Sequence, residues 1–368
     1  MRILHTEWSD GWGGQECRIL CEMEGMVQRG HEVALATRDH TKIAIAAADA
    51  GIPVILLPFR GRTDHRSILP LARYLRRGQF DVVNTHSSVD SWVGGLAAKL
   101  AGTPVLVRTR HLHLHLKRNW LNFVHYMPDK LITCGENMRR KLVNDCNFPA
   151  DEIVSIPTGI DFTKFTPHSK ETGLRQDLGL TENAFVVLIV GVIRSVKRHE
   201  VALRAMALLL TKCPDAQLLV AGDGPMRTNM EKLAAELRIT HHIHFLGHRS
   251  DIPNLMAMAD ALLLTSRSEG VPQAVTQALG MRLPVVATDV GGVGELIENE
   301  HSGLLIPPED PAAAATALAR LEQDKELALR LGEAGWEHVN HHYSLNTMLD
   351  KTEALLAELL QLKGKKLQ

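Results

Sequence analysis

Several features that would assign a protein class at a glance are missing from this chain. Its 368 residues hold five cysteines, Cys17, Cys21, Cys134, Cys146 and Cys213, an odd number, widely spread, with no Cys-x-x-Cys pair. That pattern disfavours a disulfide framework and leads us to expect reduced thiols. No apolar run approaches the roughly 20 residues that span a bilayer, so any work at a membrane is expected from its surface. Neither a G-x-G-x-x-G nor a G-x-x-x-x-G-K-[ST] occurs, which leaves a dinucleotide dehydrogenase and a P-loop NTPase unsupported. There is also no Asp-x-Asp pair to hold a divalent metal on a nucleotide. A net charge of −1 with 23% charged residues speaks for a globular protein and against a nucleic-acid partner. Residues 1–5 pass straight into a strand-like run, without the charged, apolar and small-residue succession of a secretory signal. A cytoplasmic location is therefore expected.

The balanced total hides an asymmetry. Residues 1–165 carry 21 Lys and Arg against 17 Asp and Glu, whereas the remainder carries 20 against 25. Much of the positive charge falls between Arg108 and Lys141, among His111, His113, His115, Lys117, Arg118, Lys130, Arg139, Arg140 and Lys141. Such a face suits an anionic leaflet or an anionic acceptor; solvated helix surface is the plainer alternative.

The dominant pattern is an alternation of short β-branched runs with helical spacers. Runs at 3–5, 32–37, 53–57, 81–85, 104–108, 130–133 and 153–156 form one series, and runs at 185–190, 217–221, 243–246, 261–264, 284–288 and 303–306 a second. Strands separated by ten to twenty helical residues make βα units, and these make parallel sheets. The expected architecture is α/β, two Rossmann-like doubly wound domains. The first covers 1–165, a polar linker 166–180, the second 181–345, and a C-terminal helix 346–368 packs back on the first domain. Ligands of such sheets bind where the carboxyl ends of the strands meet the crossover loops, in a cleft between the domains.

The stretch 263–280 is the most telling. An apolar run ends in Thr265, Ser266, Arg267 and Ser268, turns at Glu269-Gly270, and enters an apolar-periodic segment with Pro272 in its first turn. Strand, tight turn and helix in that order aim backbone N–H groups and a partial positive charge at a bound phosphate. Other glycine turns follow other strands: Gly13-Gly14, Gly191, and Gly222-Asp223-Gly224-Pro225. Glycine lets a backbone approach a phosphate closely. Just beyond Gly191, Arg194 and Lys197 offer a planar fork and a point charge for a diphosphate.

Taken in order, Gly13-Gly14, the run Pro157-Thr158-Gly159-Ile160-Asp161, Gly191 with Arg194 and Lys197, Ala221 to Pro225, Phe245-Leu246-Gly247, and 266–280 followed by 284–288 resemble a bacterial retaining glycosyltransferase of the GT-B fold, family four. The resemblance runs over nearly the whole chain. It implies that Glu269 touches the hydroxyls of the donor sugar and that the backbone of Gly270, Val271, Pro272 and Gln273 holds the diphosphate. It implies that Arg194 and Lys197 stabilise the leaving phosphate, and that Gly13 and Gly14 form the loop closing over the donor. Gly191, Gly222 and Gly247 line the donor site, Arg249 lies by the base, and His111 stands near the sugar being transferred. No metal and no cofactor are implied, the nucleotide-sugar being a co-substrate.

One position departs from the family pattern. The second acidic residue of the motif is here Gln277, giving E-x7-Q, and an amide loses charge-assisted hydrogen-bond strength of roughly 1 kcal/mol toward the ribose. His86 and Asp90, after the fourth strand, are candidates for an acceptor pocket, with a structural histidine as the alternative. His111, His113 and His115 alternate in a way that invites a zinc reading, but no complementary Cys or carboxylate cluster accompanies them. The expectation is transfer of a hexose-type sugar from a nucleotide donor, a UDP-sugar, with retention, to a glycan or lipid-linked acceptor in lipopolysaccharide or surface polysaccharide synthesis. A nucleotide-sugar epimerase of the same fold and a non-catalytic nucleotide-sugar binder are the alternatives.

Overall fold

The computed structural model describes residues 1–111, 120–167 and 172–364. The chain divides into two compact units, Met1–Gly159 with Leu345–Gln368, and Ile160–Ser344. The division falls at Gly159, earlier than 165. The stretch read as a linker belongs to the second unit and carries a short helix whose Arg175 guanidinium reaches Asp260 at 3.2 Å.

In the first unit β1 (Arg2–Thr6), α1 (Gly14–Gln28), β2 (Glu32–Thr37), α2 (Lys42–Asp49), β3 (Val54–Leu56), α3 (His65–Arg77), β4 (Val82–Thr85), α4 (Ser88–Ala101), β5 (Val105–Arg110), β6 (Lys130–Thr133), α5 (Glu136–Cys146) and β7 (Ile153–Ser155) follow one another. The strands pair in parallel in the order β3-β2-β1-β4-β5-β6-β7. Winding therefore runs outward from β1 in one direction, then resumes at β4 in the other. Alternation along β5 assigns its faces: Val105 and Val107 join the core beneath α1, and Leu106 joins the core with α3 and α4. Helix α13 (Leu345–Leu362) completes the α1 side. Its Met348, Leu349, Leu356, Leu359 and Leu360 pack with Ile19, Met23 and Met26, a contact so close that a Cβ on Gly25 would lie 2.3 Å from Leu349. Arg29 bonds Glu353 at 2.8 Å and Asp350 at 2.7 Å across the same seam.

The second unit repeats the winding. It contains α6 (Thr172–Asp177), β8 (Val186–Val190), α7 (His199–Leu209), β9 (Gln217–Ala221), α8 (Arg227–Glu236), β10 (Ile243–Gly247), α9 (Ile252–Met258), β11 (Ala261–Leu264), α10 (Gln273–Gly280), β12 (Val285–Thr288), β13 (Leu304–Ile306), α11 (Pro311–Gln323) and α12 (Lys325–His342). The parallel order is β10-β9-β8-β11-β12-β13. Strands such as β8 and β12 are buried almost throughout, which is why they read as unbroken apolar runs rather than alternating ones. Reversal of winding falls between β1 and β4 in one unit and between β8 and β11 in the other. At these points two successive connections diverge and leave room for a ligand.

Candidate functional site

In the second unit the crossover point gathers most of the residues the sequence singled out. β8 is followed by Gly191, whose φ of 152° suits glycine alone. Gly222, after β9, has φ 155°, and a Cβ there would stand 1.9 Å from the Gly191 carbonyl oxygen. Gly224 is as tightly seated, 2.4 Å from the Ile193 oxygen for an added Cβ. The two turns are laced together by Ile193 N–H to Asp223 O at 2.9 Å and Met226 N–H to Ile193 O at 3.0 Å. Glycine here serves backbone-to-backbone contact, which in turn holds the strand-end loops at fixed spacing.

From that frame the chain turns through Ser195–Lys197, a single 3-10 turn. Lys197 Nζ donates to Glu269 Oε1 at 2.6 Å, and Ser266 Oγ donates to the same oxygen at 2.5 Å. Both partners of the ion pair keep some exposure, 20% for Lys197 and 12% for Glu269. Arg267 N–H to Val196 O at 2.8 Å and the Thr265 hydroxyl on the Lys197 and Arg198 carbonyls fasten the two loops together. Oε1 of Glu269 carries both contacts, so among the described residues Oε2 is left to accept from a ligand hydroxyl. Arg194 is exposed and, among the described residues, has no carboxylate partner.

Helix α10 begins at Gln273, and Pro272 is its cap in an extended conformation, one position earlier than the first turn expected. Proline at a cap spends no hydrogen bond, and its carbonyl accepts from Val275 and Thr276. Gly270 is held by Gly292 N–H at 2.9 Å, and an added Cβ on Gly291 would meet Glu269 O at 1.9 Å. The glycine pair 291–292 after β12 belongs to this turn, although no motif in the sequence ties it to Glu269-Gly270. Val271 is buried and Gln277 half-buried, one turn along α10 from Gln273. Gly247 ends β10 with φ 67°. Arg249 forms a two-pronged pair with Asp251, 2.8 Å and 2.5 Å, so its guanidinium is committed within the loop.

In the first unit Gly13 caps α1 in extended backbone, with its N–H on Glu16 Oε2 at 2.8 Å, and Gly14 opens the helix. The loop before it hangs on Glu7, whose Oε1 accepts from Trp8 N–H at 2.8 Å and Ser9 N–H at 2.7 Å, and whose Oε2 accepts from Gln15. Burial, aided by the Asp90 charge, pushes the Glu7 carboxyl up to about 8. Glu7 carried no motif and was missed.

His86 and Asp90 do not line a surface. His86 is 3% and Asp90 0% exposed. Asp90 spends its oxygens at the start of α4 and on β1, accepting from His86 N–H at 2.8 Å, Ser87 N–H at 2.8 Å and the Thr6 hydroxyl at 2.9 Å. Burial raises its carboxyl. Asp90 thus caps the start of α4 in this structure. His111, half-buried, directs Nε2 to His86 Nδ1 at 3.0 Å and Nδ1 to Cys134 Sγ at 3.5 Å.

Of the basic residues expected to form a face along 108–141, Arg140 is exposed, whereas Arg108 and its neighbour Arg110 are not. Arg108 and Arg110 are each 4% exposed, because β5 is a central strand covered on both faces. Burial lowers their guanidiniums to about 9 and about 10, and Arg108 contacts His125, itself pushed down to about 3. His113, His115, Lys117 and Arg118 lie outside the described residues, as does most of the zinc reading. Among the described residues no group of three or more His, Cys, Asp or Glu is placed to hold a metal.

Two doubly wound parallel-sheet units, one gathering cations, a carboxylate and a helix N-terminus at its strand crossover, define an α/β protein of two Rossmann-like domains. The sequence profile of "Glycosyltransferase Family 4" matches residues 12–164 and that of "Glycosyl transferases group 1" matches 170–338. The chain is 27% identical to the Escherichia coli UDP-Gal:alpha-D-GlcNAc-diphosphoundecaprenol alpha-1,3-galactosyltransferase over 311 residues, covering 81% of this chain and 80% of that one. A glycosyltransferase structure from Rickettsia africae superposes with a TM-score of 0.88 at 22% identity over 98% of each chain. Anabaena HepE, solved in complex with UDP, superposes with a TM-score of 0.86 at 20% identity, covering 97% of this chain and 100% of that one. The chain belongs to the GT-B glycosyltransferases of family four, and its two sheets are the two domains of that fold.

Proposed function

We propose that this glycosyltransferase moves a hexose-type sugar from a UDP-sugar to a glycan or lipid-linked acceptor, with retention at the anomeric carbon and without a metal. The observation carrying this reading is the Lys197–Glu269 pair at 2.6 Å, set between exposed Arg194 and the start of α10. Glu269 Oε2 accepts hydroxyls of the donor sugar. Arg194, Lys197 and the N–H groups at the start of α10 neutralise the departing diphosphate, and such preorganised charge is the main catalytic term. Gln277 meets the ribose with one acceptor and one donor in place of a carboxylate. The name of the Escherichia coli relative and the UDP bound to Anabaena HepE support a UDP donor. That name also supports a lipid-linked acceptor, and a role in surface polysaccharide or lipopolysaccharide synthesis belongs to the same proposal.

No helix among the described residues is long and apolar enough to cross a membrane. Peripheral contact with anionic lipid is supported by exposed Arg60, Arg62, Arg66, Arg73, Arg76 and Arg77, on α3 and the loop before it, beside exposed Leu69 and Tyr74. Pull-down by anionic vesicles at low salt, lost at high salt, is the expected result.

The decisive experiment measures nucleotide release from UDP-, GDP- and ADP-sugars, with and without EDTA, for the wild type and Glu269→Ala. Release from a UDP-sugar, unchanged by EDTA and lost in the variant, is expected. Binding without release, even with lipid-linked acceptors supplied, would favour a non-catalytic binder. No observation favours the epimerase.

A further inference from the structure

Two donors of different character meet on one carboxylate oxygen of the second unit. The turn Ser195–Lys197 brings Lys197 Nζ to 2.6 Å from Glu269 Oε1, and the loop after β11 brings Ser266 Oγ to 2.5 Å from the same atom. An ammonium is a compact charge with three hydrogens on a flexible stem, drawn to both oxygens of a carboxylate almost equally. Left alone with Glu269, Lys197 can straddle Oε1 and Oε2 or slip from one to the other. A hydroxyl has a single hydrogen and a direction. With Ser266 on Oε1 the carboxylate has one fixed end, and Oε2 keeps its lone pairs for a ligand.

Ser266 is itself held on both sides of its peptide group. Its carbonyl accepts from the Thr288 hydroxyl at 2.7 Å, and the next N–H, of Arg267, donates to Val196 O at 2.8 Å. Val196 belongs to the turn that carries Lys197, and the Thr265 hydroxyl spans the Lys197 and Arg198 carbonyls at 3.1 Å and 3.0 Å. The spacing of the two donors is therefore set by backbone contacts before any ligand arrives. Behind Glu269 stands Gly291, where a Cβ would come within 1.9 Å of the Glu269 carbonyl oxygen, so the main chain at Glu269 has no room to retreat. Ser266 and Thr288 are each 0% exposed, against 12% for the Glu269 side chain and 20% for that of Lys197. A ligand reaches the carboxylate and the ammonium but neither hydroxyl.

We propose that Ser266 and, through it, Thr288 are positioning residues for the donor sugar, pinning Glu269 at Oε1 so that Oε2 is presented to the sugar hydroxyls, a role that rests on the reading of Glu269 as their acceptor. Without the Ser266 hydroxyl Lys197 takes both oxygens, and a sugar must displace an ammonium to be held. Lys197 keeps its charge beside the carboxylate in either arrangement, so a diphosphate meets nearly the same field. The loss therefore falls on the sugar and spares the nucleotide.

The test uses the full chain with UDP, which has no sugar, and with UDP-glucose, UDP-galactose and UDP-N-acetylglucosamine. Affinity is read by calorimetry and turnover by nucleotide release. Ser266→Ala is expected to lower kcat/KM at least about tenfold for the sugar that the wild type transfers, while its affinity for UDP stays within about threefold. Thr288→Val keeps the shape of the side chain, and the same pattern is expected at about threefold in kcat/KM. Added to Glu269→Ala, Ser266→Ala is expected to change donor affinity by less than about twofold, because residues acting through one another do not add. Equal losses for UDP and the UDP-sugar, additive losses in the double variant, or wild-type kcat/KM in folded Ser266→Ala overturn the proposal, while turnover by the wild type leaves the functional reading standing. Should Ser266→Ala not fold, Thr288→Val is read the same way. If the wild type releases nucleotide from none of the three UDP-sugars, the functional reading falls and this proposal with it.

Discussion

The two units share one winding scheme and differ in how they furnish its crossover. In the second unit the strand ends are joined by glycine backbone, and charged groups such as Arg194, Lys197 and Glu269 stand at least partly in solvent. In the first, the corresponding place is filled by buried titratable side chains: His5, Glu7, His86, Asp90, Arg108 and Arg110. The second arrangement keeps charge ready for an incoming anion. The first holds groups in protonation states that water would not favour, and so couples its stability to pH.

The largest break in this contrast is expected at Glu269. Glu269→Ala removes the acceptor of Lys197 and of the donor hydroxyls, and a loss of more than about a hundredfold in nucleotide release is expected, with UDP binding retained by calorimetry. Retained release would detach the ion pair from the chemistry.

Glycine separates the units next. Gly222→Ala forces a Cβ to within 1.9 Å of the Gly191 oxygen at a φ of 155°, and a cost of about 3 kcal/mol in urea unfolding is expected. At Gly13 the backbone is extended and the nearest atom to a new Cβ is Glu16 Oε2 at 3.7 Å. Gly13→Ala is expected to cost under about 1 kcal/mol. Equal effects would mean that the two loops are built alike.

Acidity divides them further. His5, His86, His111 and His125 of the first unit are all held neutral in the fold, His125 down to about 3, whereas an unfolded imidazole titrates near 6.5. Their contribution to stability is complete above pH 6.5 and is lost as pH falls below it. The second unit has His199, lowered to about 4, and His244. As pH falls from 7.5 to 5, hydrogen-exchange protection relative to the intrinsic rate at each pH is therefore expected to drop in β1, β4 and β5 before β8, β9 and β11. On the alkaline side Glu7 works in the opposite sense. Its folded carboxyl titrates at about 8 against 4.5 when free, so stability declines as pH rises between those values, and Glu7→Gln is expected to flatten the decline in melting temperature.

The smallest effect is expected at Gln277. Gln277→Glu restores a carboxylate where an amide now stands, and activity within about tenfold of wild type is expected. A larger loss would give the amide a role of its own.

Much of the second unit's site was legible because its elements lie in one order along the chain. Glu269-Gly270 between an apolar run and a helical one marks a strand, turn and helix by local rules alone. So do the glycines at 191 and 222, whose positive φ is a property of single residues. The lacing was not legible: Lys197 and Glu269 are 72 positions apart, and Ser266 joins them only because β8 and β11 are neighbours. In the first unit, composition places Arg108 at the edge of a charged run, and Arg110 lies two residues further along the same strand. They are inside because β5 sits mid-sheet, a fact that alternation along one strand does not contain.

The sequence by itself determined the alternation of strands and helices, the repetition of that alternation, and the residue types at the donor turn, since each depends on contacts within a few positions. Tertiary structure decided which charges are buried and which histidines share hydrogen bonds. Those outcomes depend on which strands become neighbours. Neighbourhood in a parallel sheet is set by crossovers that bring together residues 80 or more positions apart, as with His5 and His86.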